Sequence, residues 1–489
     1  MTDSHVQAQD PTETPRQPPA FTPPPGAGPP GKVFAVLALA VFISTLDVFI
    51  VNIAVPAIQS DFDHPSVADI SWVLNAYAIV FAALLVPAGK LGDVIGCRRV
   101  FAAGLIAFGL GSALCAVAPS LGFLIGARVL QGAGAAAVTP TSLGLMLPSI
   151  PPQRRAAAIG AWAALGAVGA ASGPPLGGLL TDVSWNWIFL VNVPLAVLAL
   201  IGTYRVLPEI RDPATPPLPD LLGTVILVAA VSVATLGLVQ GTAWSWDARV
   251  MACFAGALVL AVAFVTRSSR HHAPVLELGI VRVPAFALAS LSAALFFAAF
   301  SAMLLGNVLF LTGVWHYSVL RAGVALTPGP LAAAVFAPFA GKLSNRTGPG
   351  PVGGAGAVLF GAGSVMWVAL IGLDPTYWTR FFPAMIVAGT GVGLAMPAFT
   401  IAATSTLPPH KLATGNGAQT MFRQIGATLG VAAFVAILGT PTPATVINAY
   451  NNTRWFMIAS AAAAATALAL IRRPSPKPDF PQKTTLTAS

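Results

Sequence analysis

The stretch Gly89-Lys90-Leu91-Gly92-Asp93-Val94-Ile95-Gly96, continued by Cys97-Arg98-Arg99, is a short polar loop in an otherwise apolar sequence. A similar loop, Gly341-Lys342-Leu343-Ser344-Asn345-Arg346-Thr347-Gly348, begins 252 residues later. Each loop follows a long apolar run with a proline near its end, and each leads into another apolar run. A loop repeated at this distance predicts two related halves, each built from several membrane spans.

The composition is that of a membrane protein. Charged residues are only 8% of the 489 residues, whereas 56% are hydrophobic. A soluble protein of this length needs far more charge to cover its surface, so the lipid bilayer is predicted to be its main surroundings. The cysteines, Cys97, Cys115 and Cys253, show no paired spacing, which indicates neither a disulfide framework nor a metal site.

Apolar runs of about 20 residues predict about fourteen membrane spans. The runs begin near Val33, Ile70, Val100, Gly122, Ala156, Trp187, Leu221, Val250, Ala285, Gly323, Val352, Phe381, Leu412 and Arg454. If the N-terminus lies inside, most lysines and arginines also lie inside, and only Arg249, Arg321, Arg380 and Arg454 fall outside. By the positive-inside rule, the net charge of +9 reflects orientation, with both termini cytoplasmic, and gives no reason to expect nucleic-acid binding.

Equivalent loops after the second span of each half imply six spans per half, with two extra spans between the halves. The predicted units are a disordered Pro-rich cytoplasmic tail (1–31), a six-helix bundle (32–208), two extra transmembrane helices with flanking loops (209–270), a second six-helix bundle (271–473) and a cytoplasmic tail (474–489). The N-terminus lacks the features of a signal peptide. The segment from Gly26 to Lys32 resembles a phosphate loop but has no Ser or Thr at its end, so ATP binding is not expected.

Asp47 is the acidic residue that lies deepest in a predicted span; the other fifteen fall in loops, tails or span ends. A carboxylate in the outer half of a span is costly and usually marks a proton or ion pathway. The alternative is a structural carboxylate, permanently paired with an arginine or capped by Asn52.

Arg128, near the middle of the fourth span, is the expected partner of Asp47. A nearby cation favours the ionised form of a carboxyl group and burial favours the neutral form. Movement of Asp47 relative to Arg128 therefore predicts a switch between proton release and proton capture. The alternative is that Arg128 only bonds backbone carbonyls and holds helices together.

The fifth span contains a stripe of small residues interrupted by prolines, comprising Gly169, Gly173, Pro174, Gly177 and Gly178. Small residues at every fourth position allow close approach of helices, and Pro174 with Pro175 predicts a kink or a break. A substrate site is expected near the midplane between the halves. Its candidates are Asn52, Gln131, Phe300 and Asn307, although packing or bonding between helices is the simpler role for each.

These motifs together resemble the major facilitator superfamily, and within it the fourteen-span drug:proton antiporters of the QacA and EmrB type. The first-span pattern from Leu46 to Pro56, the loop Gly89–Arg99, the fourth-span pattern from Arg128 to Gly134 and the fifth-span pattern from Gly169 to Gly178 carry the resemblance. It implies an all-α major facilitator fold of two six-helix bundles plus two extra central helices, fourteen in total.

The resemblance also implies function. It assigns proton coupling to Asp47 and Arg128, and it makes Gly89, Asp93, Gly96, Arg98 and Arg99 a cytoplasmic latch that holds the halves together. A simple basic topology anchor is the alternative for this loop. The expected activity is proton-driven export of lipophilic drugs or dyes across the bacterial inner membrane by alternating access, with protons as coupling ion and no other cofactor.

Other functions remain open on the sequence. A narrow exporter of one metabolite, such as a self-made antibiotic or a siderophore, is the main alternative. An importer of the same superfamily is disfavoured by the fifth-span motif, and a membrane enzyme by the scattered acids and histidines. The expected partners are a small-molecule substrate and the lipid bilayer, with no nucleic acid and no ATP, and a monomer is expected.

Overall fold

The computed structural model describes residues 24–63, 65–210, 220–405, 407 and 412–471. Every regular element in these ranges is helical. The helices are α1 (Pro30–Asp61), α2 (Val67–Ile95), α3 (Cys97–Ala116), α4 (Leu121–Ser149), α5 (Pro152–Val183), α6 (Trp187–Leu190), α7 (Asn192–Val206), α8 (Leu221–Gln240), α9 (Ala248–Arg270), α10 (Leu278–Val281), α11 (Pro284–Gly313), α12 (Val319–Leu326), α13 (Pro328–Thr347), α14 (Pro349–Leu370), α15 (Phe382–Thr404), α16 (Leu412–Leu438) and α17 (Val446–Ala469), with a π-helical turn at Tyr377–Phe381.

Twelve helical segments within the described ranges are long and apolar enough to cross a membrane, two fewer than the fourteen spans predicted. Short helices complete some of these segments, as in Trp187–Val206 and Val319–Ser344. Two further helices, α5 with 32 residues and α17 with 24 residues, are long enough but are not among the twelve. Asparagines and an arginine near the start of α17 reduce its hydropathy.

Local sequence signals determine several helix starts. Ser66, Ser120 and Ser318 each accept a hydrogen bond from the backbone N–H three residues later, at the starts of α2, α4 and α12. Asp220 does the same for Gly223 N–H at the start of α8, at 2.8 Å. Such caps satisfy backbone donors that have no partner inside the helix. Elsewhere a proline occupies the first turn, as in α1, α11 and α14.

The two repeated polar loops end helices in the same way. Gly96 follows α2 with a φ of 112°, and Gly348 follows α13 with a φ of 88°. Side chains are disfavoured at such positive φ values, so glycine ends the helix and turns the chain at both places. The sequence repeat is therefore also a structural repeat.

Matching helix pairs pack together in the two halves. In the first half α3 packs on α4, α2 on α4, α1 on α5 and α3 on α7. In the second half the equivalent pairs are α14 with α15, α13 with α15, α11 with α16 and α14 with α17. Each half therefore comprises six long helices in one arrangement.

The halves meet along two seams. Helix α2 packs against α16, where Gly417 faces Val86, and α5 packs against α12. Helix α8 packs on α9 and also contacts both α2 and α16, so the pair α8–α9 lies across one seam. Helix α9 is largely exposed along its span, as expected for a helix at the lipid boundary.

The predicted tails lie mostly outside the described residues, which exclude 1–23 and 472–489. Helix α1 begins at Pro30, two residues before the predicted boundary of the first bundle. Just before it, Gly28 N–H donates to the Val206 carbonyl at the end of α7, at 2.9 Å. The Pro-rich loop before α8 is also outside the description at 211–219.

Candidate functional site

Asp47 is completely buried in α1, and three polar side chains contact its carboxylate. Arg128 Nη1 donates to Asp47 Oδ2 at 2.6 Å. Gln131 Nε2 and Asn192 Nδ2 both donate to Oδ1, at 2.7 and 3.0 Å. The carboxylate therefore has a cation on one oxygen and two amide donors on the other.

Arg128 is 1% exposed and makes contacts on several sides. Its Nε–H donates to the Val73 carbonyl of α2 at 3.0 Å, and its guanidinium lies 4.2 Å from the centre of the Tyr77 ring. A backbone bond and an aromatic face fix the guanidinium plane, which directs Nη1 at Asp47. Arg128 thus makes both contacts that the sequence interpretations considered. It bonds a backbone carbonyl, and it also pairs with Asp47.

Gln131 connects the ion pair to α3. Its Nε2 donates to Ser112 Oγ at 2.7 Å as well as to Asp47, and its Oε1 accepts from Arg128. Arg128 and Gln131 are three residues apart on α4 and therefore lie on one helix face. The cluster consists of Asp47, Ser112, Arg128, Gln131 and Asn192, from α1, α3, α4 and α7, all in the first half.

Sequence reasoning did not single out Ser112 and Asn192. Both are fully buried, yet neutral polar residues are frequent in membrane helices and give no charge signal. Asn192 does come shortly after the aromatic residues Trp185, Trp187 and Phe189, in a pattern of aromatic residues followed by an asparagine. That pattern could have indicated it.

The candidate substrate residues lie in different surroundings. Gln131 is 0% exposed inside the Asp47 cluster, not free toward the seam between the halves. Asn52 donates to the Val48 carbonyl of its own helix at 2.7 Å, so it does not cap Asp47 in this structure. Phe300 lies between the halves, with its ring centre 6.2 Å from that of Phe49 of α1. Asn307 is buried two turns further along α11, and its Nδ2 has no partner among the described residues.

The basic end of the repeated loop pairs with an acid that sequence reasoning missed. Arg98 and Arg99 lie 3.6 and 3.7 Å from Glu209 Oε2, and Glu209 Oε1 accepts from Arg98 N–H at 3.1 Å. Glu209 follows α7, so these contacts join parts of the first half.

Asp93 is exposed on the last turn of α2. From the same loop, Lys90 Nζ donates to the Pro274 carbonyl at 2.7 Å, in the segment that leads into the second half.

The glycine stripe of α5 lies against backbone. A Cβ added at Gly169 would lie 2.9 Å from the Phe42 carbonyl oxygen, and one at Gly177 would lie 3.1 Å from the Ile50 carbonyl oxygen, both on α1. Gly173 also faces α1, at Phe49. Gly178 instead faces α12, where an added Cβ would lie 2.7 Å from Leu320 Cα. Helix α5 continues through Pro174 and Pro175, so of the predicted kink or break, the break does not occur.

Comparison with known families matches residues 37–431 to the Major Facilitator Superfamily. This match covers more than half of the chain, and the chain belongs to that superfamily. It is accordingly a multi-pass membrane transporter, of a family that is generally not enzymatic.

Several curated relatives are transporters named for antibiotics or drugs. The chain is 31% identical to the "Probable actinorhodin transporter" of Streptomyces coelicolor, over 94% of this chain and 84% of that protein. It is 32% identical to the "Tetracenomycin C resistance and export protein" of Streptomyces glaucescens, over 86% and 79%. It is also 32% identical to the "Multidrug resistance protein Stp" of Mycobacterium tuberculosis, over 83% and 76%.

Solved structures with the same fold are more distant in sequence. An auto-inhibited POT family peptide transporter superposes with a TM-score of 0.68 at 15% identity, covering 92% of this chain and 98% of that one. A bacterial homologue of the lysosomal transporter Spinster, in an inward-facing conformation, superposes with a TM-score of 0.62 at 18% identity, covering 90% and 95%. At these identities the likeness concerns the fold alone.

Proposed function

We propose that this chain is a proton-driven antiporter that exports lipophilic drugs or dyes across the bacterial inner membrane. The observation that carries the proposal is the buried Asp47–Arg128 ion pair, the contact of the one acidic residue that lies deep in a predicted span. Intramembrane carboxylates paired in this way are typical of proton relays. The relatives named for antibiotic export and drug resistance support the direction of transport and the kind of substrate.

Protonation of Asp47 changes what Arg128 contacts. In the ionised form, Asp47 neutralises Arg128 inside a buried cluster. A neutral Asp47 leaves the guanidinium without its counter-charge, which is costly in a low-dielectric interior. The cluster involves four helices, so a rearrangement that relieves this cost also moves α1 and α4 relative to α3 and α7. Proton binding is thereby linked to a change of conformation.

The cluster contains an acceptor for the protonated acid. A neutral carboxyl group becomes a hydrogen-bond donor. Asn192 Oδ1 is buried and has no partner among the described residues, and it belongs to the same amide that donates to Asp47 in the ionised form. Rotation of this amide offers Oδ1 to the new O–H. The protonated Asp47 thus finds an acceptor within the cluster, but this bond does not replace the counter-charge that Arg128 loses.

The proposed transport cycle is alternating access between two rocking bundles. The seams α2–α16 and α5–α12 join the halves, and each has to separate in turn for the site to open on one side. We place both termini in the cytoplasm, following the distribution of lysine and arginine. We also count α5 and α17 as spans, giving fourteen, because each is long enough and packs within its bundle.

Export of one metabolite is the second candidate. It is favoured by relatives named for a single antibiotic, as in the tetracenomycin C protein. A broad exporter is favoured by the relative named for multidrug resistance. The position of the gene next to biosynthetic genes, or its absence from such a cluster, distinguishes the two.

The proposed function is tested by drug-triggered proton movement in inside-out membrane vesicles. A pH-sensitive dye reports protons leaving the vesicle lumen when cationic, neutral or anionic drugs are added to energised vesicles. Drug-triggered efflux with the wild type and none with Asp47→Asn is the expected result. Efflux that persists in Asp47→Asn contradicts the assigned coupling residue. Silence of the wild type with every drug, while a product of neighbouring biosynthetic genes does trigger efflux, favours the second candidate.

A further inference from the structure

The second half contains an arginine within a membrane span that is not part of the Asp47 cluster. Arg423 lies on α16, with its guanidinium 4.7 Å from the centre of the Phe297 ring of α11. Within the described part of the chain it makes no ion pair, and its Nε–H is buried without an acceptor. One helical turn earlier on the same face, Gln419 is 0% exposed, and neither atom of its amide has a partner among the described residues. Unpaired buried polar groups of this kind are costly unless a further group satisfies them.

The face that carries these two residues packs on α11. Arg423 and Gln419 are in line with Gly426 and Gly430, which face Ala294 and Ala298 of α11. Ser301 of α11 donates to the Ala427 carbonyl at 2.7 Å, which fixes the two helices together. The polar side chains therefore lie on the α11 side of α16, away from lipid.

Aromatic rings connect Arg423 to the other half of the molecule. The ring centres of Phe297 and Phe300 are 5.8 Å apart, and Phe300 in turn is 6.2 Å from Phe49. Phe49 lies on α1, two residues after Asp47. The set Phe49, Phe297, Phe300, Gln419 and Arg423 thus reaches across the seam between the halves, with aromatic rings followed by unpaired hydrogen-bonding groups.

The charged residues of the second half are nearly all basic. Between residues 284 and 471 the only acidic residue is Asp374, in the loop after α14. Arg423 therefore has no carboxylate within its own half that could neutralise it inside the membrane. A lipophilic cation bound here would be repelled by Arg423, whereas an anion would supply the missing partner.

Resting on the proposed export function, we propose that these five residues form the substrate site and that it takes aromatic compounds carrying an acidic group. The ionised carboxylate or phenolate pairs with Arg423, an adjacent carbonyl or hydroxyl bonds Gln419, and the rings stack on Phe297 and Phe300. Contact with Phe49 joins this site to the helix that carries Asp47.

The test is binding of three matched probes to the purified full-length protein in lipid nanodiscs at pH 7. The probes are 2-naphthoate, 2-naphthamide and 2-naphthylmethylammonium, which share one ring system and differ in charge. Equilibrium dialysis with naphthalene fluorescence gives each Kd without a proton gradient. The expected result is that 2-naphthoate binds at least tenfold more tightly than the other two probes.

Variants assign the preference to Arg423. In Arg423→Gln the preference is expected to disappear, and in Arg423→Lys it is expected to remain. Arg454→Gln is the matched control, because Arg454 is a second arginine within the helices of this half but already bonds Asn451 Oδ1 and the Trp367 carbonyl. That variant is expected to keep the preference. If Arg423→Gln does not fold, the proposal is tested by binding of the three probes to the wild type and to Gln419→Leu.

Equal binding of the three probes, no binding of 2-naphthoate up to millimolar concentration, or an unchanged preference in Arg423→Gln each overturns the proposal. The measurement is independent of proton coupling. A retained preference for the anion together with uncoupled transport would count against Asp47 as the proton site and leave the substrate site standing. Coupled transport without a preference for the anion would count against the substrate site and leave Asp47 standing as the proton site.

Discussion

At the scale of single residues, Arg128 shows why arginine is required beside Asp47. One guanidinium makes three directed contacts, with the Val73 carbonyl, Asp47 Oδ2 and Gln131 Oε1, while its face lies on the Tyr77 ring. A lysine ammonium is a point charge on a flexible stem and cannot reproduce this planar set. Charge alone therefore does not define the site.

The first prediction concerns Arg128→Lys. Because the charge is kept while the fixed geometry is lost, substrate-driven proton movement is expected to fall at least tenfold, with the protein still folded. Proton efflux from inside-out vesicles measures this. Arg454→Lys is the control, since Arg454 is also buried, bonds a backbone carbonyl and lies 4.8 Å from the Phe310 ring, but has no acid partner. Equal loss in both variants would mean that helix packing, not proton coupling, is affected.

The sequence identified Asp47 and Arg128 because charges are rare in membrane spans and each therefore stands out. It did not identify Ser112 and Asn192, whose hydrogen bonds depend on how α3 and α7 approach α1. It placed Gln131 in the substrate site, whereas the structure places Gln131 beside Asp47. Glu209 was missed as the partner of Arg98 because it is 111 residues away and follows a different helix.

At the scale of helices, the glycines of α5 decide how closely neighbouring helices approach. Gly178 is the member of the stripe that faces the second half, opposite Leu320 of α12. Any side chain at Gly178 meets backbone atoms, which cannot move aside as a side-chain end can. The seam between α5 and α12 at the Val183 end of α5 therefore depends on this glycine.

The second prediction is that Gly178→Ala separates this seam. The added Cβ would lie 2.7 Å from Leu320 Cα, so α12 has to move outward. Spin labels at Asp182 and Arg321 are expected to report a longer distance than in the otherwise unchanged protein, and transport is expected to slow at least tenfold. Gly166→Ala is the control, because a Cβ there meets Thr45 only at 3.6 Å. An unchanged label distance and transport rate in Gly178→Ala would contradict this role.

The extra helices α8 and α9 are joined by an ion pair whose carboxylate is buried and whose arginine is partly exposed. Asp220 is 2% exposed, caps α8, and accepts from Arg267 Nε of α9 at 2.8 Å. Burial by itself raises the pKa of Asp220, but the hydrogen bonds from Gly223 N–H and Arg267, with the nearby His271, outweigh burial and lower it below its usual value of 3.8. Because the folded pKa is depressed, the pair stabilises the fold above the usual pKa and less as the pH falls through the lowered value.

The third prediction is that Asp220→Asn destabilises the protein by about 2 kcal/mol at pH 7, the range for hydrogen bonds to charged groups. The difference from the wild type is expected to shrink as the pH falls from the usual carboxyl pKa through the lowered one, because Asp220 of the wild type then becomes protonated as well. Thermal unfolding in detergent across pH measures both effects. Asp247→Asn is the control, since its pair with Arg249 is exposed and contributes little. A pH-independent difference would contradict the ion-pair account.

At the scale of the whole molecule, the repeat in the sequence becomes a repeat of helix packing. The polar loops predicted two halves, and the same helix neighbours recur in both. The number of spans was less predictable, because α17 begins with polar residues and its hydropathy is low although its length suffices. The seams and the position of α8 across one of them depend on long-range packing, which local sequence patterns do not specify.

The fourth prediction concerns voltage. With one coupling carboxylate, one proton per cycle is expected. Exchange for a neutral substrate then moves one charge inward, exchange for a monocation moves none, and exchange for a monoanion moves two. At about 150 mV one charge provides about 3.5 kcal/mol, enough for a gradient of about 300-fold. Transport in proteoliposomes with a potassium–valinomycin potential measures this, and equal voltage sensitivity for neutral and monocationic substrates would contradict one proton per cycle.

The central claim is that Asp47 binds the proton that drives export. It is tested most directly by counting protons released when substrate binds to the purified protein in a weakly buffered solution. The account predicts close to one proton released per substrate bound by the wild type. It predicts none from Asp47→Asn, with substrate binding retained. Proton release of the same size from Asp47→Asn would contradict the claim.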